Sequence, residues 1–591
     1  MSTSSSTPIS RVVFESPSLS VDILSQSSSP SSFGNSNQSP IDSDSLSTTS
    51  SQNDIFSPNL SVMNPVFTTG ILREIFKNFE PVFSTRYPNF PLASHDLHDC
   101  RCLFSAALTC KTFLDPALDS LWFYLDSMLP LFRLFPSPKL MNGKYVVHGN
   151  IQVEDVERVS RYARRVKILL FHASEIRPTQ HLYLQLSQLI PAPLFPSLCR
   201  LESPTVQKVP DVIDGILIAL SPALRVLTFN SFTVAEDALI GAFISSLAVK
   251  TTSNLTHLVL YGHVSTDTLL HIFEFENLQS LELALLQDVA ANVFTLLDKL
   301  ENLSNLIIDV QRCSVIPSRV SLPITPRRSR YSFPPSPTLK RLKKLHVSGK
   351  PVDIVLVLSG TRPSHLQSFS LECYHDTSYA ICSTTIIRCL EGYVFRSHPS
   401  LYTLNFTHHP PLTSKCHFSL TDLPNITSLC SLENFSLETS LFSANIEKLE
   451  EFVSAWPNLK VLILPLFWSD VPTLTFLATL RTFCPCLQEV HLPLIPEVPT
   501  LLPANIPAYH PLKKLFVTPI ETGQEATFEN QLRVSQFITQ LFPDAAVDLR
   551  RTSNSTSTGF WEKVQATVKL CQEVRKRTIA FSVNHHKGIA R

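Results

Sequence analysis

The sequence predicts an α/β fold in which an N-terminal module of three helices precedes a solenoid of irregular strand-and-helix repeats. Two observations lead to this prediction. A composition rich in Ser, Thr and Pro gives way near residue 63 to three segments with helical spacing of apolar residues. From Leu198 onward, the spacing Leu-x-x-Leu-x-Leu, or a close apolar variant of it, occurs twelve times. Successive units begin 23 to 39 residues apart, and a period of that order is typical of a stacked array.

Residues 1–62 are predicted to form a disordered tail. Apolar residues are too sparse there to offset the conformational entropy that ordering would cost. Four Ser-Pro pairs begin at Ser16, Ser29, Ser39 and Ser57. They are either sites for proline-directed phosphorylation or part of a plain solvated tail, and the second interpretation is the simpler one.

Residues 63–130 are predicted to form the helical module. In the first helix, apolar residues recur on one face at Ile71, Leu72, Ile75 and Phe76. A second helical pattern covers 102–113 and a third covers 114–122. Pro116 falls in the first turn of the third segment, where proline is tolerated.

Three segments of this module resemble the F-box domain in its diverged fungal form. They are ILREIF at 71–76, LTCKTF at 108–113 and LW at 121–122. The resemblance implies that the module binds a Skp adaptor and, through it, a cullin. The residues that the resemblance places in adaptor binding are Phe67, Ile71, Leu72, Ile75, Phe76, Leu108, Leu118 and Trp122. The sequence does not separate residues that contact the adaptor from residues that hold the module together.

Residues 131–550 are predicted to form the repeat array, and the pattern resembles the irregular leucine-rich repeats that follow an F-box in substrate-receptor proteins. In each unit the leucines of a short strand point into the core, while the intervening residues point outward. The outward positions are therefore candidates for contact with a target protein. Those singled out are His257, Tyr261, His346, Glu372 and His491. The simpler interpretation of each is an ordinary solvated strand residue.

Two segments interrupt or end the array. Residues 313–340 are rich in Pro, Ser and Arg and are predicted to form a projecting loop. Residues 551–591 are predicted to contain a polar linker and an amphipathic helix over 561–577 that covers the end of the array.

Several function classes are disfavoured by composition and motif. Lys+Arg and Asp+Glu are 49 each, which argues against general binding to nucleic acid or to membrane surfaces. No nucleotide-binding, metalloprotease or hydrolase motif appears, so no catalytic residue and no cofactor is expected. The His- and Cys-containing run at 95–102 is too compact for a structural zinc site, and no metal is expected. Thirteen scattered cysteines and the lack of a secretory signal predict a cytoplasmic or nuclear location.

The sequence thus yields one hypothesis and one alternative. In the hypothesis, the chain is a non-catalytic substrate receptor of a Skp–cullin–F-box ubiquitin ligase, and it holds an unidentified protein substrate on its repeats. In the alternative, the chain is a leucine-rich-repeat scaffold without a ligase link, and the three helices only close its end.

Overall fold

The fold is that of a computed structural model. The described residues are 69–80, 97–136, 138–141, 144–147, 151–170, 177–190, 193–203, 216–250, 254–286, 288–311, 315–316, 338–363, 365–374, 390, 400–409, 418–419, 424–439, 442–443, 445–465, 471–499, 510–519, 527–550 and 559–589. All of them belong to one compact unit, Asn64–Arg591. The predicted tail 1–62, Phe67, most of the predicted loop 313–340 and residues 551–558 lie outside the described residues.

A single sheet of fifteen parallel strands runs through this unit, and its strands neighbour one another in chain order. The strands are β1 Tyr124–Leu125, β2 Ile168–Leu170, β3 Arg200–Ser203, β4 Val226–Phe232, β5 His257–Gly262, β6 Ser280–Leu285, β7 Asn305–Val310, β8 Lys344–Gly349, β9 Ser368–Tyr374, β10 Thr403–His409, β11 Asn434–Glu438, β12 Val461–Ile463, β13 Glu489–Pro493, β14 Lys514–Thr518 and β15 Ala546–Leu549. The predicted α/β class is therefore confirmed, and its main sheet is long and parallel.

Each of the twelve leucine motifs leads into one strand, β3 to β14, and the strands pair with their leucines in register. Leu306 of β7 lies opposite Leu281 of β6 on one side and Leu345 of β8 on the other. These inward positions are buried, whereas the intervening positions are partly exposed. Alternation with a period of two residues thus fixes which face of every strand enters the core.

Backbone hydrogen bonds also join the residues that immediately precede neighbouring strands. The N–H of Gln367 donates to the carbonyl of Lys343 at 2.8 Å, and the N–H of Tyr402 donates to the carbonyl of Gln367 at 2.9 Å. Side chains on the outward face add to this ladder. Asn305 donates to Ser280 at 2.9 Å and Asn405 donates to Ser370 at 3.0 Å. Neighbouring strands are therefore held together by the backbone and by side chains on the outward face.

Helices and short strands connect the main strands. The α-helices are α1 Thr69–Lys77, α2 Leu97–Thr109, α3 Lys111–Leu121, α4 Leu129–Phe132, α5 Val153–Ala163, α6 Gln180–Leu189, α7 Val234–Lys250, α8 Thr266–Ile272, α9 Pro351–Gly360, α10 Ile446–Ser454, α11 Thr475–Phe483, α12 Phe528–Leu541 and α13 Gly559–Ile589. Ile216–Ala219, Ala291–Lys299 and Pro424–Ser428 are 3-10 helices. The short strands outside the main sheet are Pro138–Met141, Lys144–Val147, Arg177–Pro178, Val289–Ala290, Val315–Ile316, Thr338–Leu339, Arg362–Pro363, Phe418–Ser419 and Phe442–Ser443.

Local sequence explains where several of these helices begin. The Ser265 hydroxyl accepts the N–H of Thr268 at the start of α8, and the Asn445 side chain accepts the N–H of Glu447 at the start of α10. Thr527 caps α12 in the same way through the N–H of Asn530. Such caps satisfy backbone donors that the first helical turn leaves without partners.

One continuous apolar core extends along the sheet from Leu125 to Val568. At its C-terminal end, α13 buries Trp561, Val564 and Val568 against it, whereas Leu570 and Val574 of the same helix are exposed. The first turns of α13 thus cover the last strand, and the helix continues well beyond the predicted 577, to Ile589.

Candidate binding surfaces

The three N-terminal helices pack around a small core of their own. Its buried residues include Leu72 and Phe76 of α1 and Leu103 of α2. The ring of Phe76 packs edge-on against Phe113 of α3, with 5.9 Å between ring centroids. The sequence leaves open whether Leu72 and Phe76 contact the adaptor or hold the module together, and their burial shows that they hold it together.

Other apolar residues of the module face outward. Ile71 and Ile75 are spaced four residues apart on α1 and are 43% and 44% exposed. Phe104 and Leu108 repeat that spacing on α2, and Leu108 is 65% exposed. Because residues four apart lie on one helix face, each helix presents an apolar pair to the outside. Ile71, Ile75 and Leu108 are thus the predicted adaptor residues that are available for contact.

The remaining predicted adaptor residues lie elsewhere. Leu118 is partly buried against the core of the module. Trp122 is partly buried against the core of the main sheet, and its ring lies 4.9 Å from the ring of Tyr162 on α5. Trp122 therefore joins the end of α3 to the first repeats.

Arg165 forms a second, polar joint between the module and the sheet. Its Nη2 lies 2.6 Å from Oδ1 of Asp115, and its Nη1 donates to the backbone carbonyl of Asp115 at 3.2 Å. The same guanidinium pairs with Asp119, which also lies 3.5 Å from Nε of Arg73. These groups line a cleft of about 570 Å³ in which basic side chains outnumber acidic ones.

The outward face of the sheet carries a second surface, a cavity of about 370 Å³ over β5 to β9. Three of the five predicted target-facing residues, Tyr261, His346 and Glu372, line it together. The register explains how they meet. Tyr261, Ala284, Asp309, Ser348 and Glu372 occupy one row across five neighbouring strands. Ala284 and Ser348 are small, so they leave space between the larger side chains of that row.

Hydrogen bonds organise the carboxylates of this cavity. The hydroxyl of Tyr261 donates to Glu282, and the hydroxyl of Tyr374 donates to Glu372. His409 places Nε2 3.0 Å from Oε1 of Glu372, and its ring stacks on Tyr374 with 4.7 Å between centroids. Both tyrosine hydroxyls are therefore already committed to carboxylates.

Electrostatics keep the cavity acidic. Burial alone would raise the pKa of Glu372, but the hydrogen bonds from Tyr374 and His409 hold that pKa below its ordinary value. Burial lowers the pKa of His346 despite the nearby carboxylates of Glu372, Asp309 and Glu282. At neutral pH Glu372 is thus a carboxylate and His346 a neutral imidazole.

The other two predicted target-facing residues lie outside this cavity. His257 is at the start of β5, where burial and the nearby Arg200 lower its pKa. His491 on β13 stacks on Phe516 with 4.1 Å between centroids, and its Nε2 lies 2.7 Å from Oε1 of Glu489. Burial lowers its pKa as well.

The sequence interpretation missed Glu282, Asp309, Ser348 and Tyr374 as members of the cavity. The criterion that selected Tyr261 and Glu372 would also have selected these four residues, because each occupies an outward position of a strand that follows a leucine motif. What the sequence lacked was the register that brings these positions together.

Two further observations concern metal binding and membrane insertion. In the described ranges, no group of three or more His, Cys, Asp or Glu residues is arranged to hold a metal ion. None of the helices described combines the length and apolarity that a bilayer crossing requires.

Comparisons with known proteins leave the family open. No protein-family model matches the sequence, and no curated protein matches it. Solved structures do match, among them an internalin from Listeria monocytogenes, with 11% identity and a TM-score of 0.28. That match covers 72% of this chain and 94% of the internalin chain. At this TM-score the match carries no argument about fold or function.

Proposed function

We propose that this chain is a non-catalytic leucine-rich-repeat solenoid that serves as the substrate receptor of a Skp–cullin–F-box ubiquitin ligase. The helical module would bind the Skp adaptor, the adaptor would recruit the cullin, and the outward face of the sheet would hold a target protein. Such a receptor accelerates ubiquitin transfer by holding the target near another enzyme.

The observation that carries the adaptor half of the proposal is the split within the first helix. Leu72 and Phe76 supply the core of the module, so the outward pair Ile71 and Ile75 is not required for its packing. Exposed apolar side chains rimmed by charges are typical of a protein interface. The charges are present at Arg73 and Glu74 on the same helix.

The target half of the proposal rests on the outward face. A sheet of fifteen parallel strands offers a long row of side chains that are not needed for the core. The cavity beside Tyr261, His346 and Glu372 concentrates hydrogen-bonding groups in one place on that face. This arrangement suits recognition, because polar groups fixed in a concave site provide specificity.

The adaptor half is tested by co-purification of the tagged full-length chain with a Skp adaptor. The full chain is the appropriate sample, since Trp122 and Arg165 join the module to the sheet. The wild type is compared with Ile75→Asp and with a matched control, Leu270→Asp on α8, which is 44% exposed like Ile75.

We expect the wild type and Leu270→Asp to retain the adaptor and Ile75→Asp to lose it, because a charge in an apolar interface must be desolvated. Far-ultraviolet circular dichroism confirms that all three proteins are folded. Failure of folded wild type to retain the adaptor would reject the ligase proposal in favour of a repeat scaffold whose helices only close its end.

A further inference from the structure

The cavity over β5 to β9 has an excess of hydrogen-bond acceptors. Glu282, Asp309 and Glu372 bring three carboxylates from three different strands. No described residue that lines the cavity is a lysine or an arginine. Glu282 accepts from Tyr261, Glu372 accepts from Tyr374 and His409, and Asp309 accepts from the backbone N–H of Gln311. Each carboxylate can accept further hydrogen bonds, because its two oxygens offer about four lone-pair sites.

Ser348 provides an independent indication of a ligand. It lies between Asp309 and Glu372 in the register, lines the cavity and is only 4% exposed. Its hydroxyl forms no hydrogen bond with any described residue. Because Ser348 borders the cavity and its oxygen is not among the fully buried polar atoms without a partner, the hydroxyl is open to a donor from a ligand. A ligand with N–H donors would supply that missing partner.

The shape and chemistry of the cavity favour one kind of donor. Its volume of about 370 Å³ is near the small end of the roughly 300–1,000 Å³ typical of ligand pockets. A guanidinium group is planar, always charged and carries five N–H donors, so it can engage carboxylates from several directions at once. It also stacks on aromatic rings, and two lining residues are aromatic, Tyr261 near the end of β5 and Tyr374 at the end of β9.

We propose that this cavity binds an arginine side chain of the target protein, with Glu282, Asp309 and Glu372 as its counter-charges and Ser348 as an added acceptor. This inference rests on the proposed function in one respect, namely that the bound arginine belongs to a target protein. The cavity and its chemistry do not depend on the adaptor.

The test uses purified full-length protein and three fluorescein-labelled, amidated peptides of sequence Gly-Ser-X-Ser-Gly, where X is arginine, lysine or citrulline. Citrulline has nearly the shape of arginine but no charge. Fluorescence anisotropy gives the affinity for each peptide at low and at moderate salt. We expect the arginine peptide to bind at least about tenfold more tightly than the citrulline peptide, and more tightly than the lysine peptide.

Variants locate the binding. Glu282→Gln and Glu372→Gln are each expected to weaken the arginine peptide by about tenfold, because each keeps an acceptor but removes a charge. The matched control is Glu529→Gln on α12, which removes the same charge from an exposed position and is expected to leave the affinity unchanged. An equal loss in the control would show a non-specific charge effect and would overturn the assignment.

Equal affinities of the wild type for arginine and citrulline peptides, or no measurable binding of either, would overturn the inference without reference to any variant. Equal affinities for arginine and lysine would overturn the choice of a guanidinium. Arg312, which follows the cavity-lining Gln311 in the sequence, is outside the described residues. If the arginine peptide bound to the Arg312→Ala variant but not to the wild type, the inference would also be overturned. The result would mean that Arg312 of this chain, and not a target protein, occupies the cavity.

The outcome is separable from that of the ligase proposal. Adaptor retention without a preference for arginine would reject the cavity assignment alone. A preference for arginine without adaptor retention would reject the ligase proposal and leave the cavity as a peptide site on a repeat scaffold.

Discussion

Leu72 and Ile75 lie within one turn of the same helix, yet Leu72 is 2% exposed and Ile75 is 44% exposed. Each residue of an α-helix is rotated by about 100° from the one before it, so the apolar stripe on α1 has two edges. The edge with Leu72 and Phe76 packs against α2 and α3, and the edge with Ile71 and Ile75 does not. The edge with Leu72 and Phe76 therefore stabilises the module, and the edge with Ile71 and Ile75 is the one that we propose binds the adaptor.

The first prediction follows from that division. We expect Leu72→Ala to lower the free energy of unfolding by about 2–4 kcal/mol, because it empties a buried site. Ile75→Ala is expected to change it by less than about 1 kcal/mol. Urea denaturation monitored by circular dichroism measures both. A larger loss in Ile75→Ala than in Leu72→Ala would contradict the division.

The second prediction concerns the joint between the module and the sheet. Arg165→Ala removes a largely buried guanidinium and leaves Asp115 and Asp119 without that partner. We expect a loss of about 1–3 kcal/mol in the free energy of unfolding. Arg164→Ala, at the exposed neighbouring position, is the matched control and is expected to have little effect. Equal urea midpoints for the two variants would refute a structural role for Arg165.

The third prediction concerns the leucine ladder. Leu345 is buried between Leu306 and Phe369 in the register of the sheet. Leu345→Ala is expected to lower the free energy of unfolding by about 2–5 kcal/mol, because the fixed strands on both sides leave a cavity. The exposed Lys343→Ala is the control and is expected to stay within about 0.5 kcal/mol of the wild type. Thermal unfolding of both variants measures these changes in stability.

The fourth prediction concerns pH. His510 is buried, with Nε2 3.1 Å from the carbonyl oxygen of Cys484 and Nδ1 accepting the N–H of Leu512 at 3.2 Å. Burial lowers its pKa, so between that value and the ordinary value near 6.5 the unfolded chain binds more protons than the folded chain. Stability is therefore present above about pH 6.5 and is lost as the pH falls through this window.

We expect the melting temperature of the wild type to fall between pH 6.5 and pH 5.5. His257, His346 and His491, whose pKa values burial also lowers, act in the same direction. His510→Gln removes one of these groups and is expected to show a smaller fall. An equal fall in the two proteins would exclude His510 as a contributor.

The main strands could be predicted from the sequence because their signal is local. Leu306 and Ile308 alternate with outward residues within one strand, and this spacing alone specifies the buried face. The terminal strands β1, β2 and β15 were missed, because Tyr124–Leu125, Ile168–Leu170 and Ala546–Leu549 lack the leucine spacing of the other units. They pair through their backbones with strands that have it or with one another.

The candidate site could be predicted only in part. Tyr261, His346 and Glu372 were selected individually as outward positions, and the sequence could not show that they share a cavity. Their proximity depends on the register between strands that are separated by loops of different lengths, and no local pattern specifies it. For the same reason, the sequence grouped Ile75 with Leu72, since the position at which α3 packs on α1 decides which edge of the stripe is buried.

The most direct test of the central claim is hydrogen–deuterium exchange of the full-length chain with and without a purified Skp adaptor. We expect the adaptor to slow exchange in α1 and α2 and to leave α8 unchanged, because Ile71, Ile75 and Leu108 face outward from the first two helices. Unchanged exchange in α1 and α2 at saturating adaptor would contradict the claim that the helical module is an adaptor-binding surface.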